Sequence, residues 1–402
     1  MSGPGTSGPP AVWSSSGRQA PPVPSSAAEA ERRALTALTR LVEPPCPPLV
    51  RLVEAWGACE VLERIASDDP AAALPPDSSG GAGARERRER WRQRLGRVDV
   101  DRDLALAARS GARLVVPGDG EWPAELADLG DDRPLALWCR GAALDARPAR
   151  VAVVGARAAT PYGEHVAGTL AGGLAQAGRS VVSGGAFGID AAAHRGALLA
   201  GGTTCAVLAC GVDVSYPKGN EGLLRRVAEH GTLVSEYPLG TGVTRGRFLD
   251  RNRLLAALGQ GTLLVEAGLR SGARSTVGHA RRLHRPVMVV PGPVTSPASA
   301  GCHVELRRGD AVLVTCVEEV LDVVGQLGGD AVADPSDPHL RRTDALGPDE
   351  LRVWEAMPLR GVLRVDELCG AAGLTAPEVL GRLGALAARG LVQPEGGGWR
   401  RT

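Results

Sequence analysis

The chain has 402 residues, enough for about two to four domains, and its 46 basic residues nearly balance 45 acidic ones for a net charge of +1. With 44% apolar residues it can bury a core, which excludes wholesale disorder, and no apolar run is long enough for a membrane-spanning helix. Balanced charge gives no global pull toward nucleic acid, although the basic set is lopsided: Lys218 is the only lysine and the rest are arginine.

Residues 1–30 are mostly Gly, Pro, Ser and Ala, so this segment is expected to be a disordered tail, and it lacks the pattern of a secretory signal. Residues 31–110 read as a small helical module. Leu35, Leu38, Leu41 and Val42 form one helical stripe before Pro44-Pro45 and Pro47-Pro48. Leu49, Leu52, Val53 and Trp56 form a second, ended by Gly57, and Ala58–Ile65 a third. The Arg/Glu-rich stretch 85–109 reads as one more helix with a solvated face. The eight cysteines show no C-x-x-C pair, so buried thiols in a reducing cytoplasm are expected, with no metal site.

From residue 111 the texture changes to α/β. Leu114–Val116 and Leu135–Trp138 are short strands. Strands then follow at 151–154, 180–183, 204–209, 231–235, 261–265 and 286–290, with another at 311–315. Helical stretches His165–Ala177, Asp190–Ala200, Gly219–His230 and Gly272–His284 lie between them. Apolar strands with helical crossovers predict a doubly wound, mostly parallel Rossmann-type sheet over 111–325, with its ligand site at the carboxyl ends of the strands. Residues 326–346 read as a linker. In 347–402, three helices and a glycine-turned hairpin give a winged-helix pattern, with Thr375 and Glu378 set as a capping box. That last segment is nearly neutral, which favours a protein-contact or regulatory role over duplex reading.

Three loops leave strands and open helices: Gly155-Ala156-Arg157, Ser183 to Asp190, and Ser271 to Thr276. Their glycines and free helix-start N–H groups suit an anion. A G-x-G-x-x-G fingerprint with a ribose acid is missing, as is a Walker lysine loop, so neither an ordinary NAD site nor a Walker-type ATPase is expected, and no cofactor is called for. Between 245 and 285 nine arginines face only Asp250 and Glu266, an excess of +7 hidden in the whole-chain balance. Arginine forks suit phosphate, and Phe248 among them offers a face for a base, the makings of a single-strand site. Arg251 and Arg253 flank Asn252 just before an apolar helix.

At these residues the sequence resembles the DprA/Smf family of DNA-processing proteins. The matching text runs VAVVGARAATPYG, VVSGGAFGIDAAAH, AVLACGVDVSYPKGN, LVSEYPLG, FLDRNRLLAALGQGTLLVEA, SGARSTVGHA, VMVVPGP and GCHVELRRGDA, in order over about 111–325. The resemblance implies an extended Rossmann domain flanked by an N-terminal helical module of SAM or helix-hairpin-helix type and a C-terminal winged helix. It implies binding and protection of single-stranded DNA, loading of the RecA recombinase in natural transformation, a homodimer formed through the central domain, and a cytoplasmic protein without catalytic residues.

Carried over residue by residue, the family's G-S-R arginine falls on Arg157, its R-N-R on Arg251, Asn252 and Arg253, and its S-G-x-x-x-T on Ser271, Gly272 and Thr276. Arg157, Arg251 and Arg253 are expected to contact phosphates. The N–H groups of Gly184, Gly185 and Gly272 and the hydroxyls of Ser183 and Ser271 are expected to hold a phosphate or a base edge. Lys218 is a further candidate phosphate contact. Departures from the pattern are Ala156, Gly185, Arg274, Ser275, His303 and Asp310. Asp190 is expected to cap its helix, His194 to pack or bond locally, and Glu266 to orient Arg251 or Arg253. The alternative is a nucleotide phosphoribohydrolase-type enzyme using Glu266 as acid or base, but the P-G-G-x-G-T-x-x-E run of such enzymes is missing.

Overall fold

The computed structural model describes residues 26–69, 74–75, 80–144, 149–325, 346–358 and 361–402. Residues 1–25 of the expected 1–30 tail and 326–345 of the expected 326–346 linker lie outside the described residues, and residues 26–30, expected to be disordered, instead begin the first helix. The chain divides into two compact units, residues 1–330 and 331–402.

The three N-terminal stripes form α1 (Ser26–Leu41), α2 (Pro47–Trp56) and α3 (Ala58–Ala66). Leu38, Leu41, Leu49, Val61 and Ile65 close into an apolar core with Trp91. The Glu31 carboxylate of α1 accepts the N–H groups of Ala58 and Cys59, which start α3. The Arg/Glu-rich stretch is two helices rather than the one expected: α4 (Gly80–Leu95) and α5 (Val100–Ser110). The chain breaks at Gly96, and Asp99 caps α5 by accepting the Arg102 N–H at 2.9 Å.

Nine strands make one sheet: β1 (Ala112–Val115), β2 (Leu137–Gly141), β3 (Arg150–Val154), β4 (Ser180–Ser183), β5 (Thr204–Val207), β6 (Thr232–Ser235), β7 (Thr262–Leu264), β8 (Val287–Val289) and β9 (Ala311–Leu313). Their spatial order is β1-β2-β6-β5-β4-β3-β7-β8-β9. Strands β3 to β9 run parallel, and β1 and β2 extend one edge antiparallel. The crossover helices are α6 (Pro161–Gln176), α7 (Ile189–Leu199), α8 (Glu221–His230), α9 (Arg245–Leu258), α10 (Ala273–Arg282) and α11 (Ala300–Arg307), and α12 (Val317–Val324) follows the last strand. This is the expected α/β class. Strand order reverses between β3 and β7, the switch point where such sheets open a crevice.

Helix α9 starts earlier than the sequence suggests. Thr244 caps it by accepting the Arg247 N–H, so Arg251, Asn252 and Arg253 lie inside the helix rather than in a loop before it. Residues 251–258 are all buried, which leaves no apolar stripe for periodicity to detect. Arg253 is therefore no surface cation. Its guanidinium pairs with Glu236 through bonds of 2.6 and 2.5 Å, and it also donates to the carbonyls of Asp132 and Asp250.

On the other face, His194 is enclosed in α7. Thr204 Oγ1 donates to the Val181 carbonyl at 2.8 Å, so His194 Nδ1–H donates to Thr204 Oγ1 at 2.7 Å and the imidazole is neutral. Burial, with Arg251 and Arg195 nearby, pushes its pKa down to about 3.

In the second unit α13 (Pro348–Ala356), α14 (Val365–Ala372) and α15 (Ala376–Ala388) pack around Val353, Leu368, Val379 and Leu383. Strands β10 (Val392–Glu395) and β11 (Gly398–Arg401) pair across a turn in which Gly396 and Gly397 adopt positive φ. The Glu378 carboxylate accepts both the N–H and the hydroxyl of Thr375. All eight cysteines are free, and no described helix is long and apolar enough to cross a membrane.

Two stability predictions follow from the enclosed charges. Glu236→Gln leaves Arg253 charged and uncompensated and is expected to cost about 3 kcal/mol in urea unfolding; a cost below about 1 kcal/mol would show that water reaches the pair. His194 binds its proton near pH 6.5 when unfolded but only near 3 when folded, so its contribution is complete above about pH 6.5 and is lost as pH falls toward 3. Between neutral pH and about pH 4.5 the wild type should lose about 2 kcal/mol more than His194→Gln. Parallel losses in the two proteins would refute this.

Candidate functional site

At the switch point the loop after β3 and the loop after β7 face each other across a cleft of about 800 Å3. One wall is Gly155 to Ala158. The opposite wall is Gly268 and Arg270 to Ala273. A third side is Val243, Thr244, Arg245, Phe248 and Leu249 around the start of α9, and Asp190, Arg251, Asn252 and Thr276 reach the floor. Glu266 ties the two loops together: its carboxylate accepts the N–H and the hydroxyl of Thr160, each at 2.8 Å, and its carbonyl accepts the Ala156 N–H. Both its oxygens are thus held beneath the wall, and it neither orients Arg251 or Arg253 nor lines the cleft as an acid or base would.

The floor is cationic but enclosed. Arg251 donates to the Val207 carbonyl at the end of β5, and Asp190 supplies the opposing charge. Burial raises the Asp190 carboxyl above its usual range, against the pull of Arg251 and of the Ala186 N–H that Asp190 accepts at 3.3 Å. The side chain fits only because residue 184 is glycine, since a Cβ there would strike both guanidinium nitrogens. Gly188 has φ +70, and a Cβ there would collide with the Ala156 carbonyl, so glycine also lets the loop before α7 lie against the loop after β3. Two buried floor atoms have no hydrogen-bond partner among the described residues, Arg251 Nε and Thr276 Oγ1.

Above this floor the rim carries the available charge. The Arg157 guanidinium lies 4.2 Å over the Phe248 ring, and Tyr216 tilts against the other side of that ring at 5.7 Å. Arg245 and Arg270 line the same cleft and make no ion pair with any described residue. Phe187 stands half-exposed next to Phe248 and Tyr216 around a small apolar recess that opens beside Arg157.

The structure sorts the sequence candidates accordingly. It brings together Arg157, Phe248, Arg251, Asn252, Ser271, Gly272 and Thr276. Asn252 donates to the Gly272 carbonyl at 3.2 Å and so holds the third loop, and the Ser271 hydroxyl accepts the Ala273 N–H at 3.3 Å. Six of the expected contacts need correction. Ser183 is fully buried and its hydroxyl donates to the Val153 carbonyl at 2.7 Å, so it offers nothing to a ligand. Arg253 is committed to Glu236. Gly185 is buried outside the cleft lining, and Gly184 borders only the small recess, where its role is to admit Arg251. Arg251 is buried with its guanidinium held by the Val207 carbonyl, so it offers no surface fork to a ligand. Lys218 is exposed at the start of a short 3-10 helix, outside the cleft lining.

The +7 segment resolves in the same way. Arg247 pairs with Glu43, Arg274 and Arg281 with Glu305, and Arg285 with Asp128, each acid lying outside the segment. Burial works to raise the Glu305 carboxyl, yet Arg281 and Arg274 bring it below its usual range. Arg282 bonds His279. Of the nine arginines, Arg245 and Arg270 keep free guanidinium groups in the cleft. Sequence reasoning counted both but singled out neither. Their signal was positional, since each sits on the loop side of a helix start.

Residues 113–325 match the family described as DNA recombination-mediator protein A. The putative DNA processing protein DprA of Mycobacterium tuberculosis is 44% identical over 383 residues, 92% of this chain and 94% of that protein. The Smf protein of Escherichia coli is 34% identical over 297 residues, covering 71% and 77% of the two chains. The crystal structure of DNA processing protein A from Streptococcus pneumoniae superposes with a TM-score of 0.56 at 27% identity, covering 73% of this chain and 95% of that one. With the family match spanning the whole nine-stranded sheet and both cleft loops, this chain belongs to the DNA recombination-mediator protein A family of DprA/Smf DNA-processing proteins.

Proposed function

We propose that the cleft binds single-stranded DNA without catalysing a reaction on it. The observation that carries this reading is the division of labour around the cleft: Arg157, Arg245 and Arg270 are unpaired at the rim, and Phe248 and Tyr216 stack among them. Three cations spaced around an opening suit successive phosphates, and aromatic faces accept any base without reading its edge. A duplex keeps its base faces stacked and offers them to no aromatic side chain, so the cleft favours a single strand.

The family membership extends this reading. A strand held by its backbone is protected and presented to a recombinase, so loading of RecA is the proposed outcome, by a homodimer joined through the central domain in the cytoplasm. In the C-terminal unit, α15 exposes Leu380 and its Arg382 is paired with Asp349, which favours a protein contact there over duplex reading. RecA assembly on single strands coated with single-strand-binding protein should be faster with the wild type than with Arg157→Ala; equal rates would refute loading.

Two predictions test the cleft itself. Fluorescence anisotropy with a labelled oligonucleotide across a salt series should give tight, steeply salt-dependent binding to single strands and weaker binding to duplex. Arg157→Ala, Arg245→Ala or Arg270→Ala should each weaken binding uniformly across sequences and lower the salt slope by about one, while Arg282→Ala leaves it unchanged. Salt-independent binding, or equal loss from Arg282→Ala, would overturn the assignment. Phe248→Ala should cost about 1–3 kcal/mol of binding with the salt slope nearly kept, because it removes stacking and no charge. Release of free base from nucleoside monophosphates by the purified chain would instead revive the hydrolase reading.

A further inference from the structure

The third side of the cleft is built on a loop anchored by the buried Leu239 and largely exposed from Gly240 onward. Residues 236–244 join β6 to α9, and Val243, Thr244 and Arg245 then line the cleft. Beyond Leu239 and the half-buried Val243, the position of this segment depends on a few polar ties. Asp213 accepts the Gly240 N–H at 2.9 and 3.0 Å, and the Thr241 carbonyl accepts the Gly211 N–H at 2.9 Å. The remaining ties lead to the end of α1. Arg40, in its last turn, donates to the Leu239 carbonyl at 2.8 Å while its fork holds the buried Asp103 of α5 at 2.8 and 2.6 Å. Glu43, two residues past α1, receives Arg247 through bonds of 2.9 and 2.5 Å. Arg247 in turn donates to the Gly242 carbonyl and lies 5.0 Å over the Tyr237 ring.

The N-terminal module therefore grips both ends of one short segment: Leu239 through Arg40, and the first turn of α9 through Glu43 and Arg247. Neither Arg40, Glu43 nor Arg247 lines the cleft, whereas Arg245, two residues before Arg247, and Phe248, the residue after it, both do. On the proposed single-strand reading, we infer that the N-terminal helical module positions the binding cleft, with Glu43 and Arg40 as positioning residues that set Arg245 and Phe248 against the DNA. The module works through the loop and touches no nucleotide. A bidentate arginine–carboxylate pair fixes orientation as well as distance, which suits it to hold a helix start at one angle. Free of it, the first turn of α9 keeps only the Thr244 cap at 3.4 Å and the ties of the loop.

The test is a double-mutant cycle on full-length protein, read by oligonucleotide anisotropy across salt. Glu43→Gln is expected to weaken single-strand binding about threefold to tenfold and to lower the salt slope by about one, as though Arg245 had been removed. Combined with Arg245→Ala its effect should fall well short of additive, because the loss through Arg245 is already made and only that through Phe248 remains. Exchanging the charges, Glu43→Arg with Arg247→Glu, should restore most of the loss, which a merely destabilised module would not do. Arg40→Met gives a second route to the same outcome at the other end of the loop. A Glu43→Gln variant that binds as tightly as wild type, or whose effect adds fully to that of Arg245→Ala, overturns the inference and leaves the functional reading standing. A wild-type chain that binds no single strand removes the functional reading, and the inference with it.

Discussion

A guanidinium enclosed at the carboxyl end of the sheet sets the terms for the rest of the structure. Arg251 reaches from the middle of α9 under Gly184 to the last carbonyl of β5, with Asp190 as its counter-charge. A buried cation is tolerable only when its donors and its charge are answered, and here one carbonyl and one carboxylate nearly do so. What remains unanswered, the Nε–H, is itself buried beneath the cleft. The glycine at 184 in the loop after β4 makes room for that charge, and burial first and this charge second hold the pKa of the His194 imidazole below its usual range.

With one lysine in the chain, arginine carries the structural ion pairs of this domain as well as the ligand chemistry. The structural examples share a form. Arg253 joins Glu236 and two carbonyls, Arg274 and Arg281 converge on Glu305, and Arg40 joins Asp103 and a carbonyl. A planar fork with five donors can answer a carboxylate and a carbonyl together, which an ammonium does with less directional control. The arginines proposed to hold DNA meet the opposite condition. Arg157, Arg245 and Arg270 sit at loop or helix starts beyond the reach of any described carboxylate, and one of them rests on a phenyl ring. Charge density along the sequence cannot separate the two groups, because the neutralising acids Glu43, Asp128, Glu236 and Glu305 come from distant segments.

That limit explains what was legible. The parallel strands were readable because buried strands are continuous apolar runs bounded by glycine and proline, and their carboxyl ends located the cleft. Arg157 and Phe248 were readable because they stand in loop or helix-start text. Helix α9 was misplaced because a helix buried on every side has no stripe, so Arg251 and Arg253 looked like a loop approaching an apolar helix. The break between α4 and α5 was missed because Gly96 and Asp99 lie in a stretch whose charge spacing remains helical. Ser183 and Glu266 looked available because a hydroxyl or carboxylate beside a glycine loop gives no sign of which backbone group it will satisfy.

The same reasoning bears on why a helical module accompanies this domain. A Rossmann-type crevice is lined by loops, and loops are the least stable parts of a sheet protein. Two of the loops here are cross-tied within the domain, by Glu266 to Thr160 and by Asn252 to Gly272. The third, leading into α9, has Asp213 and Gly211 on one side and needs an external support on the other. Arg40 and Glu43 supply it from the end of α1. The cleft is then finished by a segment some two hundred residues away in sequence, and its geometry becomes a property of the whole first unit rather than of the sheet alone.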